Sequence, residues 1–335
     1  MSKLHFLACG VLTGLILNSG CQTHVTQPMA FPKPTTPTLV IRTHPIPDKP
    51  VPAVREVEAT AKPVTPVSRA TPQAAVEQPQ VDSDPNAWIE SMRKLHANFT
   101  GTPGYVALLG DSITFADAFW TPLDYTDPAQ YLAGNDGLPT HPQGKLWKDV
   151  IKGTRGKGLD HCNGSGWQVG YILRKIDEVI TREKPEVAIL MIGTNDVGSG
   201  KVAPGWQEQY EKIVRKCLDA NCIPILNTIP PRRDRDQAVA DANAIIRNVA
   251  AKYRVPLVDY HAEMVRRRPA DQMYGTLMQK DGVHPSAGKT NVFTETNLND
   301  SGYAVRNWLN FLAYREVYFR ILHPEQAEPA KTAGR

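Results

Sequence analysis

LLGDSITFA, residues 108–116, is the stretch whose reading decides the fold. With YVALLG (105–110) it forms a short apolar run that ends abruptly in Gly-Asp-Ser. Such a run, bounded by a glycine, predicts a buried strand followed by a tight turn into a helix. A side chain on that turn is held rigidly and remains open to solvent. That suits a nucleophile, and it equally suits an N-cap serine. The remainder of the chain has to separate the two readings.

Working outward, apolar runs alternate with helical patterns. EVAILMIG (186–193), IPILNTI (223–229) and VPLVDY (255–260) read as further strands. WQVGYILRKIDEVITREK (167–184), GWQEQYEKIVRKCLDAN (205–221), RDQAVADANAIIRNVAAKYR (235–254) and SGYAVRNWLNFLAYREVYFRIL (301–322) carry apolar residues at helical spacing. Continuous apolar strands between helices predict a mostly parallel sheet covered on both faces, an α/β fold with its site at the carboxyl ends of the strands. The folded domain is expected over 86–323. Three irregular segments fall inside it, at 120–164, 198–204 and 285–299.

The first 85 residues are different material. A lysine near the start and an apolar, glycine-containing run end in LNSGCQ, the pattern of a secretory signal peptide over 1–21. Its end resembles a bacterial lipobox, with Cys21 as the lipidated residue and membrane anchor. Plain secretion is the other reading. Residues 22–85 hold nearly half of the 28 prolines and predict an extended, disordered stalk; a disordered tail is expected over 324–335. The expected location is the cell envelope, or outside the cell if the cysteine is not lipidated.

Composition excludes several functions. The net charge of +4 is small and scattered, and the densest basic run, VRRRP (265–269), reads as a solvated helix face, so no nucleic-acid partner is expected. Five cysteines show no zinc-ligand spacing, and no metal or other cofactor is expected. Cys217 and Cys222 suit either a disulfide or a pair of buried small hydrophobes. SAGKT (286–290) ends like a phosphate-binding loop, but Val283 stands where that motif needs glycine, so no nucleotide is expected.

Four strand-end or loop positions carry chemistry: GDSIT (110–114), NGSGW (163–167), GTND (193–196) and DGVHPS (281–286). A serine hydroxyl needs a base, and His284 is the candidate, with Asp281 three residues earlier able to accept from its imidazole. Backbone amides of Ser112 and Gly166 and the side-chain amide of Asn195 are the candidate donors to a developing oxyanion, with Gly164 in competition with Gly166. Trp167 is a candidate substrate platform, Arg232 a candidate substrate contact, and Asp111 a structural tie within its turn.

Taken in order, Gly110-Asp111-Ser112, Gly166, Gly193-Thr194-Asn195-Asp196 and Asp281-Gly282-Val283-His284 resemble the four sequence blocks of the SGNH, or GDSL-like, hydrolases. The resemblance spans about 105–320. It implies a flavodoxin-like, doubly wound, three-layer α/β/α fold and hydrolysis of an ester or amide. Ser112 is then the nucleophile, His284 the base and Asp281 its orienting partner. Ser112, Gly166 and Asn195 form the oxyanion hole. An exported enzyme with polar, aromatic-bearing loops suits an acyl ester, O-acetyl above all, on a small molecule or polysaccharide. A lipid or thioester esterase and a non-catalytic glycan-binding module are the alternatives. The segment 286–299, rich in Thr and Asn, is read either as part of the substrate cleft or as a surface loop packed on the last helix through Phe293.

Overall fold

The computed structural model describes residues 86–133, 136–151 and 156–327. The leader with Cys21, the stalk to residue 85 and residues 328–335 lie outside them. Helix α1 (Ala87–His96) precedes strand β1 (Thr102–Gly110), whose end feeds the one-turn helix α2 (Ser112–Phe115). There follow α3 (Trp147–Ile151), α4 (Val169–Glu183), β2 (Pro185–Met191), α5 (Trp206–Asp219), β3 (Ile223–Asn227), α6 (Asp236–Tyr253) and β4 (Leu257–Val258). The chain ends in α7 (Tyr260–Arg267), α8 (Ala270–Met273), α9 (Glu295–Leu298) and α10 (Gly302–Val317).

The four strands form one parallel sheet in the order β1-β2-β3-β4. Leu108 pairs with Ile189, Ile189 with Ile225 and Leu226 with Leu257. All of β2 and β3 is buried, as both-face coverage demands of a continuous apolar strand. Right-handed crossovers between strands placed successively to one side put α4, α5 and α6 on one face. Their buried stripes, Ile172-Ile176-Val179 on α4 and Tyr210-Ile213-Val214-Cys217 on α5, fall at helical spacing. The other face is left to α1 and α10, joined through Tyr318–Leu322.

Sequence patterning did not reveal how β1 is flanked on its far side. Asn163 makes a single parallel bridge to Gly110 there, with Gly110 N donating to Cys162 O (3.0 Å) and Gly164 N to Gly110 O (3.3 Å). The 111–162 segment leading to that bridge packs toward α10: Trp147 of α3 stands edge-on to Phe311, Tyr318 and Phe319. The chain thus winds one way from β1 to Asn163 and the other way through α4 to β2. The reversal lies at the carboxyl end of β1, the crevice where doubly wound sheets bind ligands.

Two boundaries differ from expectation. β4 covers only Leu257–Val258 because Asp259 already caps α7, its carboxylate accepting from Ala262 N at 3.2 Å. The folded part also runs past residue 323. Pro324–Gln326 form a turn, and Gln326 Oε1 accepts from Gln143 N at 3.0 Å.

Candidate active site

Gly110 begins the site. A Cβ there would lie 2.1 Å from Thr114 Oγ1 and 2.5 Å from Met191 O, so only glycine lets the turn close this tightly against β2. The N-cap of α2 is Asp111, whose Oδ1 accepts from Ile113 N at 3.0 Å. Ser112 is therefore not a cap, and its hydroxyl is left for another partner. Beneath the turn, Arg306 of α10 donates to Ile113 O (2.8 Å) and Thr114 Oγ1 (2.9 Å) and lies 3.5 Å over the Phe119 ring. Asp111, Thr114 and Arg306 are all fully buried. Burial pushes the Asp111 carboxyl up to about 6, against the pull of Ile113 N–H, Arg306 and His284. Burial likewise draws the Arg306 guanidinium down to about 10. Two opposite charges thus share the core directly under Ser112.

The candidate base comes from a different kind of structure. Asp281 Oδ1 accepts from Val283 N (2.9 Å) and His284 N (3.1 Å), which winds the 281–284 turn, and Gly282 takes φ +74° within it. Asp281 Oδ2 faces His284 Nδ1 at 2.7 Å. A carboxylate can only accept, which assigns the proton to Nδ1 and leaves the Nε2 lone pair toward solvent. Ser112 Oγ stands 3.0 Å from that Nε2 and donates to it. Partial burial works against the Asp281 carboxylate, but Val283 N–H and both donors of His284 hold it below its ordinary value. The turn is clamped from outside by Arg233: its N–H donates to Gly282 O (2.9 Å), its Nη1 to Lys280 O (2.9 Å), and its guanidinium lies 4.5 Å over the Tyr274 ring.

The candidate donors lie on the serine turn and on two neighbouring loops. Among the described residues neither Ser112 N–H nor Gly166 N–H has an acceptor, whereas Gly164 N–H is occupied by Gly110 O. This favours Gly166, at φ +76°, over Gly164 as the available amide. Asn195 Nδ2 donates to Trp167 O at 2.9 Å, which fixes the orientation of the amide and leaves its second N–H free. Asp196 accepts from Val169 N with both oxygens (3.2 and 3.3 Å), tying the Asn195 loop to the start of α4. Burial pushes the Asp196 carboxyl up to about 6.

The structure brings Ser112, His284 and Asp281 together, and it joins the Gly166 and Asn195 loops through the Trp167 carbonyl. The two candidate substrate contacts have protein partners of their own. The Trp167 ring is only 8% exposed and stacks on Tyr171 (5.8 Å between centroids, 20° between planes), so it offers no open platform. Arg232 donates to Thr194 O and so braces the Asn195 loop from behind. The segment 286–299 packs on α10 through Phe293, which is 5% exposed and stacked on Trp308. Its polar residues have partners within the protein: Asn291 donates to Thr126 and Asn297 to the Lys289 and Val292 carbonyls. Cys162, Cys217 and Cys222 are buried free thiols, and burial pushes Cys162 up to about 12, far from a reactive thiolate. Sequence reasoning missed Arg306, and it read Arg233, beside Arg232 at a strand end, as facing the cleft or solvent and not as a brace of the 281–284 turn. A charge inside the apolar run YAVRNWL is the one signal that could have found the first.

Residues 108–288, more than half of the chain, match the model of the GDSL-like Lipase/Acylhydrolase family. No curated protein matches the sequence. Similar solved structures include a GDSL-like lipase from Bacteroides thetaiotaomicron (18% identity, 69% of this chain and 98% of that one, TM-score 0.44). A lipase/acylhydrolase from Enterococcus faecalis is 18% identical over 62% of this chain and 96% of its own (TM-score 0.42). An acetyl xylan esterase is 18% identical over 63% of this chain and 96% of its own (TM-score 0.42).

Proposed function

The chain belongs to the GDSL-like lipase/acylhydrolase family, and from that premise we propose that it is a serine esterase that removes an acyl group, O-acetyl in the first instance, from a carbohydrate through Ser112, His284 and Asp281. The observation that carries this reading is the unbroken relay of two hydrogen bonds, Ser112 Oγ to His284 Nε2 at 3.0 Å and His284 Nδ1 to Asp281 Oδ2 at 2.7 Å.

His284 takes the Ser112 proton at Nε2 as Oγ attacks the ester carbonyl. Asp281 stabilises the imidazolium without taking its proton. The carbonyl oxygen becomes an oxyanion that Ser112 N–H, Gly166 N–H and the second N–H of Asn195 stabilise. Collapse breaks the bond to the alcohol, and His284 returns its proton to the departing oxygen. Water then attacks the acyl-serine with His284 as base, releasing the acid and restoring Ser112.

Hydrolysis of p-nitrophenyl esters of increasing chain length, beside acetate release from acetylated oligosaccharides, tests the reading. A preference for acetyl and release from the glycans support it. Phe115 (41% exposed) and Leu159 (60% exposed) favour a second reading, a longer apolar acyl chain. A maximum at eight carbons or more would select that one. The proposal includes a lipid anchor at Cys21 in the cell envelope, supported by the LNSGCQ pattern. Cys21→Ser should then shift the protein from the membrane to the soluble fraction, and an unchanged distribution removes the anchor.

A further inference from the structure

The loops that carry the oxyanion donors also wall a cleft. Gln168, just after Trp167, and Asp196, just after Asn195, line it together with Tyr171, Arg174 and Gln209, in a space of about 350 Å³. That is within the range of small-ligand sites. Gly170 is the floor between two polar walls: a Cβ there would come within 3.2 Å of Gln209 Oε1 and 3.5 Å of Arg174 Nη1.

Arg174 differs from several cations around α4. Lys175 pairs with Glu178, Arg182 with Glu183, and Lys216 with Asp177. Among the described residues Arg174 has no carboxylate partner; its guanidinium lies 4.5 Å over the Tyr171 ring, which is itself stacked on Trp167. The stack holds the planar cation in one orientation and leaves its N–H edge unoccupied, the arrangement that accepts a carboxylate with two parallel hydrogen bonds. Asp196 and Arg174 are the two charged residues of the lining and carry opposite signs, so the cleft has a direction. Hydroxyls suit the end beside the oxyanion donors, and an acid suits the end at Arg174.

We propose that this cleft binds the alcohol portion of the ester and selects a carboxylate there, so that the substrate is an O-acylated glycan containing uronic acid. This rests on the carbohydrate-ester reading above. The Trp167–Tyr171–Arg174 ladder fixes the carboxylate, Gln168 and Gln209 meet ring hydroxyls, and the acylated oxygen lies toward Ser112.

The test measures acetate release from an O-acetylated oligouronide as the free acid and with its carboxyls methyl-esterified, using wild type, Arg174→Gln and Arg174→Lys. Wild type should prefer the free acid at least tenfold in kcat/KM, carried by KM. Arg174→Gln should collapse that preference to near unity, Arg174→Lys should restore part of it, and 0.5 M NaCl should weaken it in wild type. A wild type indifferent to the methyl ester, or an Arg174→Gln enzyme that keeps the preference, overturns the inference and leaves the esterase reading standing. A wild type that cleaves p-nitrophenyl acetate but neither oligosaccharide overturns the carbohydrate reading and this inference with it.

Discussion

Ser112 and His284 meet at 3.0 Å, yet the turns that carry them are held in opposite ways. The serine turn sits on the fully buried Asp111, Thr114 and Arg306, at the end of a central strand. The histidine turn lies on an irregular loop, where the His284 and Asp281 side chains are 36% and 42% exposed. One side is fixed by the core. The other is fixed by a local Asx-type turn and by Arg233 gripping it from solvent. The difference teaches that the reacting pair has one member tied to global stability and one tied to local order. Loss of the first kind of support should cost folding, and loss of the second should cost catalysis alone.

The largest expected effect removes the meeting point itself. Ser112→Ala should lower kcat by roughly 10⁶ if the three residues act as a unit, while Tm changes little, because the hydroxyl serves neither as cap nor as core contact. Retention of wild-type turnover would dismiss the nucleophile assignment and with it the comparison.

Next in size is Arg306→Met. It removes the donors to Ile113 O and Thr114 Oγ1 and leaves both buried acceptors without them. Each such loss costs about 1–3 kcal/mol, which together lowers Tm by roughly 10 °C for a domain of this size. Unchanged melting would mean that the serine turn does not depend on Arg306.

On the opposite turn, Arg233→Ala removes the side-chain bond to Lys280 O and the stack on Tyr274 but keeps the backbone bond to Gly282. Turnover should fall about tenfold with KM nearly constant, since a small displacement of the base is amplified in the transition state. Tm should move by no more than a degree or two, as for an exposed substitution. If Arg233→Ala melted as low as Arg306→Met, the contrast between core-held and locally held turns would be wrong.

Much of this arrangement was legible in the sequence because it is local. The strand ending at Gly110, the three-residue spacing of Asp281 and His284, and the Gly-Thr-Asn-Asp block each depend on a few neighbouring residues. What depends on distant partners was not legible. The strand beside β1 is one bridge at Asn163, too short to have a period. Arg306 sits in a helix whose sequence does not say that every face of it is buried. Trp167 follows Gly166 directly, but adjacency does not give a ring's orientation, and its face is covered by Tyr171. The Thr- and Asn-rich 286–299 segment was open to two readings, ligand surface or packed loop, because composition does not reveal that Asn297 turns to carbonyls of its own loop and Asn291 to Thr126.

The smallest effect concerns charge, where the two sides carry opposite signs. Burial raises Asp196 to about 6 and Asp111 similarly, whereas hydrogen bonds lower Asp281 below its ordinary 3.8. A carboxyl with a raised native value binds its proton more tightly folded than unfolded. Its contribution to stability is therefore greatest at low pH and is lost as pH rises from about 4 through 6. Asp281 does the reverse, adding stability above 3.8 that disappears as pH falls through its lowered native value. Asp196→Asn keeps an oxygen for Val169 N–H and removes the titration. Subtracting the variant's unfolding free energy from that of wild type, measured from pH 3.5 to 7.5, should give a difference that falls between pH 4 and 6, by on the order of 1 kcal/mol for a half-buried group, and is flat above. Asp281→Asn should leave that window unchanged and alter only the acid end, below about pH 4. If Asp196→Asn runs parallel to wild type from pH 4 to 6, the donor loop is not held on the buried, charge-burdened side of the molecule, and Asp196 belongs with the exposed turn instead.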